Sequence, residues 1–467
     1  MFRRKLRQKT WSLVSAPRQS SRDIRPAQKI SRRHHLLGFI AHEVGTAQVR
    51  LTGGIRHSSP KSLSNGNKQV SKGGQKRLIG VRVLFFGTQY NERANMRTRI
   101  VLLWSLMLLS GIFVYGQDDA CGFADRSAAQ DPIVAQMRLA VVGQERAPVI
   151  TPDSPGADGN SFEGGMVVKV KAVYRLFSTE HRDDVRTRLA EWTSPDRIHW
   201  TRVGTIFQSS GDQTGTDPRA SLWSPLVLFD EEHQLWNMFY IGYFSKPNTK
   251  EKWYANYDGY VIRAISDKLG VEGIDGPYKD VANLMRPSQE SLPWEGLQGT
   301  DSFFPYKVGG RWLAFYGSAN TEVIPCPKWR VGLAAAPTLG GPWSRCPRFS
   351  PSPIESHMIE NPIVYSVDGV YVAIYDVDED DQHAVGYAFS GDGMHWPQGK
   401  KLRVVPGANF RSSTPLSLIA EEDGTYSLFY TAFDSNYHSR VSTGSDRVEN
   451  VYLATVRIER DADAARK

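Results

Sequence analysis

One hairpin unit recurs along the chain and limits what the chain can fold into. The clearest copy is Met358–Tyr375, MIENPIVYSVDGVYVAIY, in which two runs of alternating apolar and polar residues flank the turn Asp368-Gly369. Alternation with period two is typical of half-buried strands, and Asp-Gly between such runs is a strong hairpin signal. Four further copies occur at Met166–Phe177, Leu222–Tyr240, Phe303–Tyr316 and Thr414–Tyr430.

These hairpins belong to longer repeats. Each is followed by a third strand and often a fourth, and the segments Ser194–Trp200 (SPDRIHW) and Ser390–Trp396 (SGDGMHW) share Ser, Asp, His and Trp at matched positions. Four-stranded repeats of roughly 55–80 residues are typical of a β-propeller. The sequence therefore predicts an all-β, five-bladed β-propeller over residues 135–462. Because the last unit shows only three strands, we expect Ala135–Val142 to supply its fourth.

The basic charge of the chain is confined to its start. Residues 1–95 carry 20 Lys and Arg against 3 Asp and Glu, whereas the remainder carries 37 against 46. Such a basic, Ser- and Gly-rich segment is read either as a nucleic-acid-binding or targeting tail, or as a disordered and even untranslated extension. We favour the second interpretation and expect no nucleic-acid partner.

A secretory signal peptide follows this extension. Met96–Arg99 is a short basic region, Ile100–Tyr115 is a 16-residue apolar run, and small residues stand at the −3 and −1 positions before Gln117. This pattern predicts that residues 96–116 are cleaved, that 117–134 form a flexible segment, and that translation begins at Met96. We expect a secreted or periplasmic product without stable membrane insertion, because the run is short for a spanning helix.

Three cysteines lie in the exported part. Cys326 precedes one strand and Cys346 ends the next, across a turn at Gly340-Gly341. In an antiparallel hairpin those ends are neighbours, so an oxidising compartment could bond Cys326 to Cys346. Cys121 then has no obvious partner.

Candidate functional residues stand at the start of the first strand of each blade, because those strands line the central channel. Prolines 225, 305, 362 and 415 mark equivalent places in four blades. Superposition puts Glu163 and Asp301 four residues before this place, and Glu360 lies two before its proline. Positions two apart share a strand face, so the three carboxylates are predicted to meet at one mouth of the channel.

Other polar and aromatic side chains accompany them. Ser221 and Arg411 hold the fourth position before the proline in blades two and five, and Trp223 holds the second. Trp223 offers a flat surface to a sugar ring and Arg411 offers paired donors to hydroxyl or carboxylate groups. His357, five before Pro362, either assists proton transfer or ligates an ion, or is a hydrogen-bonded loop residue.

Glycoside hydrolysis is the chemistry that needs such a group. One carboxylic acid protonates the leaving oxygen while a carboxylate activates water or attacks the anomeric carbon. A third negative charge nearby keeps the pKa of the acid raised. We assign the acid to Glu360, the base to Glu163 and the pKa-modulating role to Asp301.

Over residues 160–460 the blade pattern resembles the five-bladed propeller glycosidases: family 43 arabinanases and β-xylosidases, invertase-like family 32 enzymes and neoagarooligosaccharide hydrolases. Glu360-Asn-Pro looks like their Glu-x-Pro motif, Trp223-Ser-Pro like their Trp-Ala-Pro, and SGDGMHW like their Ser-x-Asp-Gly-x-x-Trp. The resemblance implies a general acid at Glu360 and a plant- or algal-type oligo- or polysaccharide as substrate.

The chain also departs from that family. Its members usually place the base and the modulating aspartate directly before a proline, whereas the corresponding strands here read FEGGMVV and TDSFFPY. Asp-Pro does occur at Asp131 and Asp217, but neither is followed by a hairpin, and we predict turns there. The roles of Glu163 and Asp301 therefore depend on the superposition.

Two other functions compete with a glycosidase. A non-catalytic carbohydrate-binding propeller would keep Trp223, Arg411 and the channel. A calcium-dependent scaffold would use acidic oxygens for metal, and a structural calcium ion in the central channel is a candidate cofactor. The acidic run Asp376–Asp381 is predicted to be a solvated turn, and no residue is assigned as a metal ligand.

Overall fold

A computed structural model describes residue 121 and residues 132–182, 186–245, 256–320, 328–377, 384–404, 410–434 and 448–460. The basic extension and the predicted signal peptide lie outside these ranges, as do Cys326 and residues 378–381 of the acidic run. Within the described ranges, no helix combines the length and apolar character that crossing a bilayer would require.

The described part of the chain consists almost entirely of β-strands, preceded by one helical turn, α1 (Pro132–Ala135). The strands are β1 (Met137–Gln144), β2 (Ser161–Val170), β3 (Val173–His181), β4 (Thr187–Ser194), β5 (Thr201–Gln208), β6 (Ser221–Asp230), β7 (Leu235–Phe244), β8 (Tyr257–Leu269), β9 (Tyr278–Met285), β10 (Asp301–Val308), β11 (Arg311–Ala319), β12 (Trp329–Ala336), β13 (Ser344–Arg345), β14 (Glu360–Val367), β15 (Val370–Asp376), β16 (Ala384–Ser390), β17 (Lys400–Arg403), β18 (Phe410–Ala420), β19 (Tyr426–Asp434) and β20 (Glu449–Arg460).

These strands form five four-stranded antiparallel sheets, the blades of a β-propeller. Blades one to four are the meanders β2–β5, β6–β9, β10–β13 and β14–β17. Blade five has the order β18-β19-β20-β1, so the first strand of the propeller completes the last blade. Both the five-bladed fold and this closing strand agree with the sequence prediction.

Side-chain contacts hold the first and last blades together where the ring closes. Ser417 Oγ accepts from the backbone N–H of Val167 and donates to the Val167 carbonyl, both at 2.7 Å. Glu421 accepts from Lys169 Nζ at 3.0 Å and from the Tyr174 hydroxyl at 2.8 Å. The seam that closes the ring therefore contains polar as well as apolar contacts.

The segments that share Ser, Asp, His and Trp form turns that lead into outer strands. Asp196 accepts from the backbone N–H groups of residues 198 and 199, and its other oxygen lies 2.7 Å from His199 Nδ1. Asp392 makes the same contacts with residues 394 and 395. The matched residues therefore shape a recurrent turn in blades one and four.

The disulfide differs from the sequence prediction. Cys346 is bonded to Cys121, with a Cα–Cα distance of 5.5 Å, and not to Cys326. The backbone N–H of Cys346 bonds to the carbonyl of Leu333, so Cys346 lies opposite the middle of β12 and not opposite its start. The prediction failed because β13 is only two residues long. Cys121 is fully buried, so it is no free residue of a flexible segment.

Candidate active site

The same irregularity interrupts the innermost strand of every blade. In β2, β6, β10 and β14, one residue adopts a positive φ: Gly164 (68°), Ser224 (51°), Ser302 (50°) and Asn361 (49°). The pairing with the next strand shifts by one residue at each of these places, which is the mark of a β-bulge. Blade five has its shift between Ser412 and Pro415.

The bulges define which residues are equivalent. The residue before each one is Glu163, Trp223, Asp301, Glu360 or Ser412. The three carboxylates predicted from the sequence thus occupy one structural position in blades one, three and four. The equivalents proposed for blades two and five were wrong, because Trp223 and Ser412 hold this position in place of Ser221 and Arg411.

Proline spacing misled the superposition because proline does not mark a fixed position. Pro362 directly follows the bulge residue Asn361, whereas Pro305 lies two positions further along its strand than the residue equivalent to Pro362. Because residues two apart share a strand face, this offset of two residues left the carboxylates on the same face. The carboxylates were therefore placed on the correct face from an incorrect register.

Blade one explains the departure from the Asp-Pro pattern. A Cβ on Gly164 would lie 2.4 Å from Ser224 Oγ and 3.1 Å from its Cα. A Cβ on Gly165 would lie 2.1 Å from the Phe177 carbonyl oxygen. Because Gly165 stands where Pro362 stands in blade four, the close approach of the backbones requires glycine there.

The bulges line the central channel at the level of the carboxylates. The lining residues include Gly164, Ser224, Ser302, Asn361 and Thr414, one from each blade. Their side chains bond to one another around the channel: Ser302 Oγ lies 3.2 Å from Asn361 Oδ1, and Asn361 Nδ2 donates to Thr414 Oγ1 at 3.2 Å. These bonds link the bulges of blades three, four and five.

Glu360 and Asp301 form the centre of the site. Burial raises the pKa of Glu360 well above its ordinary value, and the negative charges of Asp301, Asp376 and Glu163 raise it further. The Glu360 carboxyl is within hydrogen-bonding reach of Asp301. Two carboxyls so close cannot both ionise at low cost, so they hold one proton between them.

Asp301 is built to keep its negative charge. Its Oδ1 accepts from the Ser302 backbone N–H at 2.6 Å and its Oδ2 accepts from Gln298 Nε2 at 3.0 Å. The Tyr243 hydroxyl also bonds to it. Burial still raises the pKa of Asp301, and the charge of Glu163 adds to this rise, but three donors oppose it. Because Asp301 has these donors to stabilise its charge, we place the shared proton on Glu360.

Glu163 is more accessible than Asp301. Its side chain is 30 % exposed, whereas Asp301 is 4 % exposed. Glu163 Oε2 lies 3.5 Å from Nε2 of the buried His181, whose ring packs edge-on against Trp223 with centroids 4.7 Å apart. Water can thus reach Glu163, while His181 and Trp223 build the wall beside it.

The other residues considered in the sequence analysis lie at different places around the carboxylates and in the loops. Trp223 lies at the bulge of blade two, and its indole N–H donates to Ser221. Arg411 is half-buried on β18, one residue before the equivalent position. His357 is exposed in the segment before β14. Asp217 accepts from the Arg219 backbone N–H in the turn before β6, as a turn residue would.

Four further residues escaped the sequence analysis. Tyr243 and Gln298 hold Asp301, His181 flanks Glu163, and Asp376 pairs with Glu360 across the β14–β15 ladder. Asp376 begins the acidic run that was predicted to be a solvated turn. Its position at the end of the second hairpin strand could have identified it. A hairpin returns the chain to the mouth of the channel at which its first strand began.

No family model and no curated protein matches this chain. Among solved structures it is similar to a family 117 glycoside hydrolase of the marine bacterium Zobellia galactanivorans, at 14 % identity and a TM-score of 0.46, over 69 % of this chain and 90 % of that one. It is similar to an α-L-arabinofuranosidase of Podospora anserina at 12 % identity and a TM-score of 0.46, over 69 % and 98 %. A thermostable family-43 glycoside hydrolase matches at 17 % identity and a TM-score of 0.40, over 67 % and 92 %.

Proposed function

We propose that this protein is a secreted glycoside hydrolase that cleaves a plant- or algal-type oligo- or polysaccharide at the mouth of its propeller channel. The observation that carries the proposal is that the carboxyls of Glu360 and Asp301 meet at the bulges of neighbouring blades, where burial and the charge of Asp301 raise the pKa of Glu360. A protonated carboxyl with a raised pKa is what a general acid requires near neutral pH.

In this proposal Glu360 donates its proton to the glycosidic oxygen as the bond to the sugar breaks. Glu163, reached by water, acts as the base that activates the attacking water or as the nucleophile that attacks the anomeric carbon. Asp301 stays charged through its three donors and keeps the Glu360 proton in place. The proton thus comes from blade four, whereas the negative charges come from blades one and three.

The side chains around the carboxylates give the proposal its substrate class. Trp223 presents an aromatic ring at the bulge position of blade two, and Arg411 brings a guanidinium to the same end of blade five. An aromatic surface and paired donors are the groups that recognise the apolar face and the hydroxyls of a sugar. His357 is assigned to the outer part of the same site, at which a longer chain would extend.

A calcium ion in the central channel remains a prediction, and the channel lining offers oxygen ligands for it. Ser224, Ser302, Asn361 and Thr414 offer hydroxyl and amide oxygens, the ligand type that Ca²⁺ takes. Among the described lining residues there is no carboxylate to supply the charge that strong sites have. We therefore assign no catalytic step to this ion.

A hydrolysis screen tests the proposal directly. Protein that begins at Gln117 is incubated with arabinan, xylan, fructan and agar-derived oligosaccharides, and the products are separated by chromatography. Release of sugars by the wild type but not by Glu360→Gln supports the proposal. Binding of a glycan to both proteins, with no cleavage by either, would instead favour a carbohydrate-binding propeller.

A further inference from the structure

A second cluster of ionisable side chains lies beside the proposed active site, across the seam between blades one and five. Its members are Glu163 on β2, His181 at the end of β3 and Glu449 at the start of β20. One ligand atom from each lies within 4.8 Å of the others. Three separate strands thus bring one imidazole and two carboxylates together.

The cluster is enclosed by the protein. His181 is 8 % exposed and Glu449 is 2 % exposed. Glu449 is held in place because its backbone N–H donates to Ser161 Oγ at 2.8 Å, and Ser161 pairs directly with His181 in the β2–β3 ladder. The positions of the side chains are therefore set by backbone pairing and not by a mobile surface loop.

The distance between His181 and Glu163 is informative. His181 Nε2 is buried and has no hydrogen-bond partner within the part of the chain that the structure describes. Its separation of 3.5 Å from Glu163 Oε2 is longer than an ordinary N–H···O bond of about 2.7–3.2 Å. Two atoms bound to one tetrahedral zinc ion at about 2.1 Å stand about 3.4 Å apart. The gap thus suits an ion between the two atoms better than a proton.

We propose that Glu163, His181 and Glu449 form a binding site for a divalent transition-metal ion such as Zn²⁺, at the edge of the proposed active site, with which it shares Glu163. An imidazole nitrogen with two carboxylate oxygens is a ligand set that zinc accepts, and it leaves a position open for water. Calcium is disfavoured, because Ca²⁺ takes six to eight oxygen ligands and little nitrogen.

Calorimetric titration with ZnCl₂ tests the site in the full chain. A Cys326→Ser background removes the one cysteine outside the disulfide, which would otherwise compete for zinc. We expect one saturable site whose affinity drops at least tenfold in His181→Gln and in Glu449→Gln. His395→Gln is the matched control, because His395 also pairs with a carboxylate, at 2.7 Å, while the described residues place no third metal-ligating group beside that pair.

Three further readouts make the result decisive. Zn²⁺ should raise the Tm of the wild type and of His395→Gln but not of the two cluster variants, and Ca²⁺ should not substitute for it. Co²⁺ should give visible absorption bands that depend on His181. Circular dichroism checks that each variant folds; if His181→Gln does not, Glu449→Gln carries the test. Absence of saturable zinc binding, or equal binding by the cluster variants, overturns the proposal whether or not the protein hydrolyses glycans.

Discussion

The Glu360 carboxyl lies within hydrogen-bonding reach of the Asp301 carboxylate, which belongs to the neighbouring blade. Both residues directly precede the bulge of an innermost strand, so the contact follows from the repeat itself. Blade three adds donors to its carboxylate, and blade four places Asp376 opposite its own. The same position in two blades therefore has different surroundings, with hydrogen-bond donors around Asp301 and a second carboxylate opposite Glu360.

Glu360→Gln should abolish cleavage of natural glycans while largely sparing activated aryl glycosides. The natural leaving group needs a proton, and general acid catalysis contributes about 10²–10⁴-fold. An aryl group leaves as a stable anion and needs little protonation. Steady-state kinetics on both substrate types measure the difference. Full activity on a natural glycan would remove Glu360 from the mechanism.

Glu163→Gln should lose activity on both substrate types. Attack on the sugar then fails whatever the leaving group, because the amide can neither activate water nor act as a nucleophile. The expected loss in kcat is at least about 10²-fold for each. Glu421→Gln, at the ring closure and away from the mouth, is the control for general damage. Retained turnover of aryl glycosides by Glu163→Gln would contradict the assignment.

Asp301→Asn should shift the alkaline limb of the pH–activity profile to lower pH. The charge of Asp301 raises the pKa of Glu360, so removing that charge lets Glu360 lose its proton earlier as the pH rises. The asparagine Oδ1 can still accept from Gln298, at the loss of the bond from the Ser302 backbone N–H. The pH dependence of kcat/KM reports the shift. An unchanged alkaline limb would show that Asp301 does not set this pKa.

Glu360→Gln should also change stability with pH in a defined direction. The pKa of Glu360 is raised in the folded state above its ordinary value of 4.5, so its favourable contribution is full below 4.5 and is lost as the pH rises through the folded pKa. The variant should therefore gain Tm relative to the wild type as the pH increases above that range.

Glu421→Gln should show the opposite trend, because contacts with Ser427 and Lys169 lower the pKa of Glu421. Its contribution is present above 4.5 and is lost as the pH falls. Thermal melts between acidic and neutral pH test whether the Tm of the two variants, relative to the wild type, changes with pH in opposite directions. Parallel curves would mean that neither carboxyl has the folded-state pKa described here.

Reduction of the disulfide should lower the stability of the propeller. Cys121 and Cys346 are 225 residues apart, so the bond closes a long loop and restricts the unfolded chain. Native disulfides contribute about 2–5 kcal/mol. We expect Cys346→Ser to have the same lowered Tm with and without reductant. Cys326→Ser should behave as the wild type in both conditions. Loss of stability in Cys326→Ser would indicate a different pairing.

The sequence by itself determined the architecture of this protein. Period-two runs, Asp-Gly turns and five copies of one hairpin were sufficient for the propeller, because strand patterning and turn chemistry are local. The same patterning placed Glu163, Asp301 and Glu360 on one face, because strand parity survives a register error of two.

Only the tertiary structure decided which residues are equivalent and which surround them. The bulges that define the site depend on pairing with the next strand, and no residue type marks them: glycine, serine and asparagine occupy them in turn. Gln298, Tyr243, His181 and Asp376 reach the carboxylates from other strands and loops, over separations that no local pattern records. Cys346 meets Cys121 for the same reason, since the short β13 places it against the middle of its neighbour and not at its end.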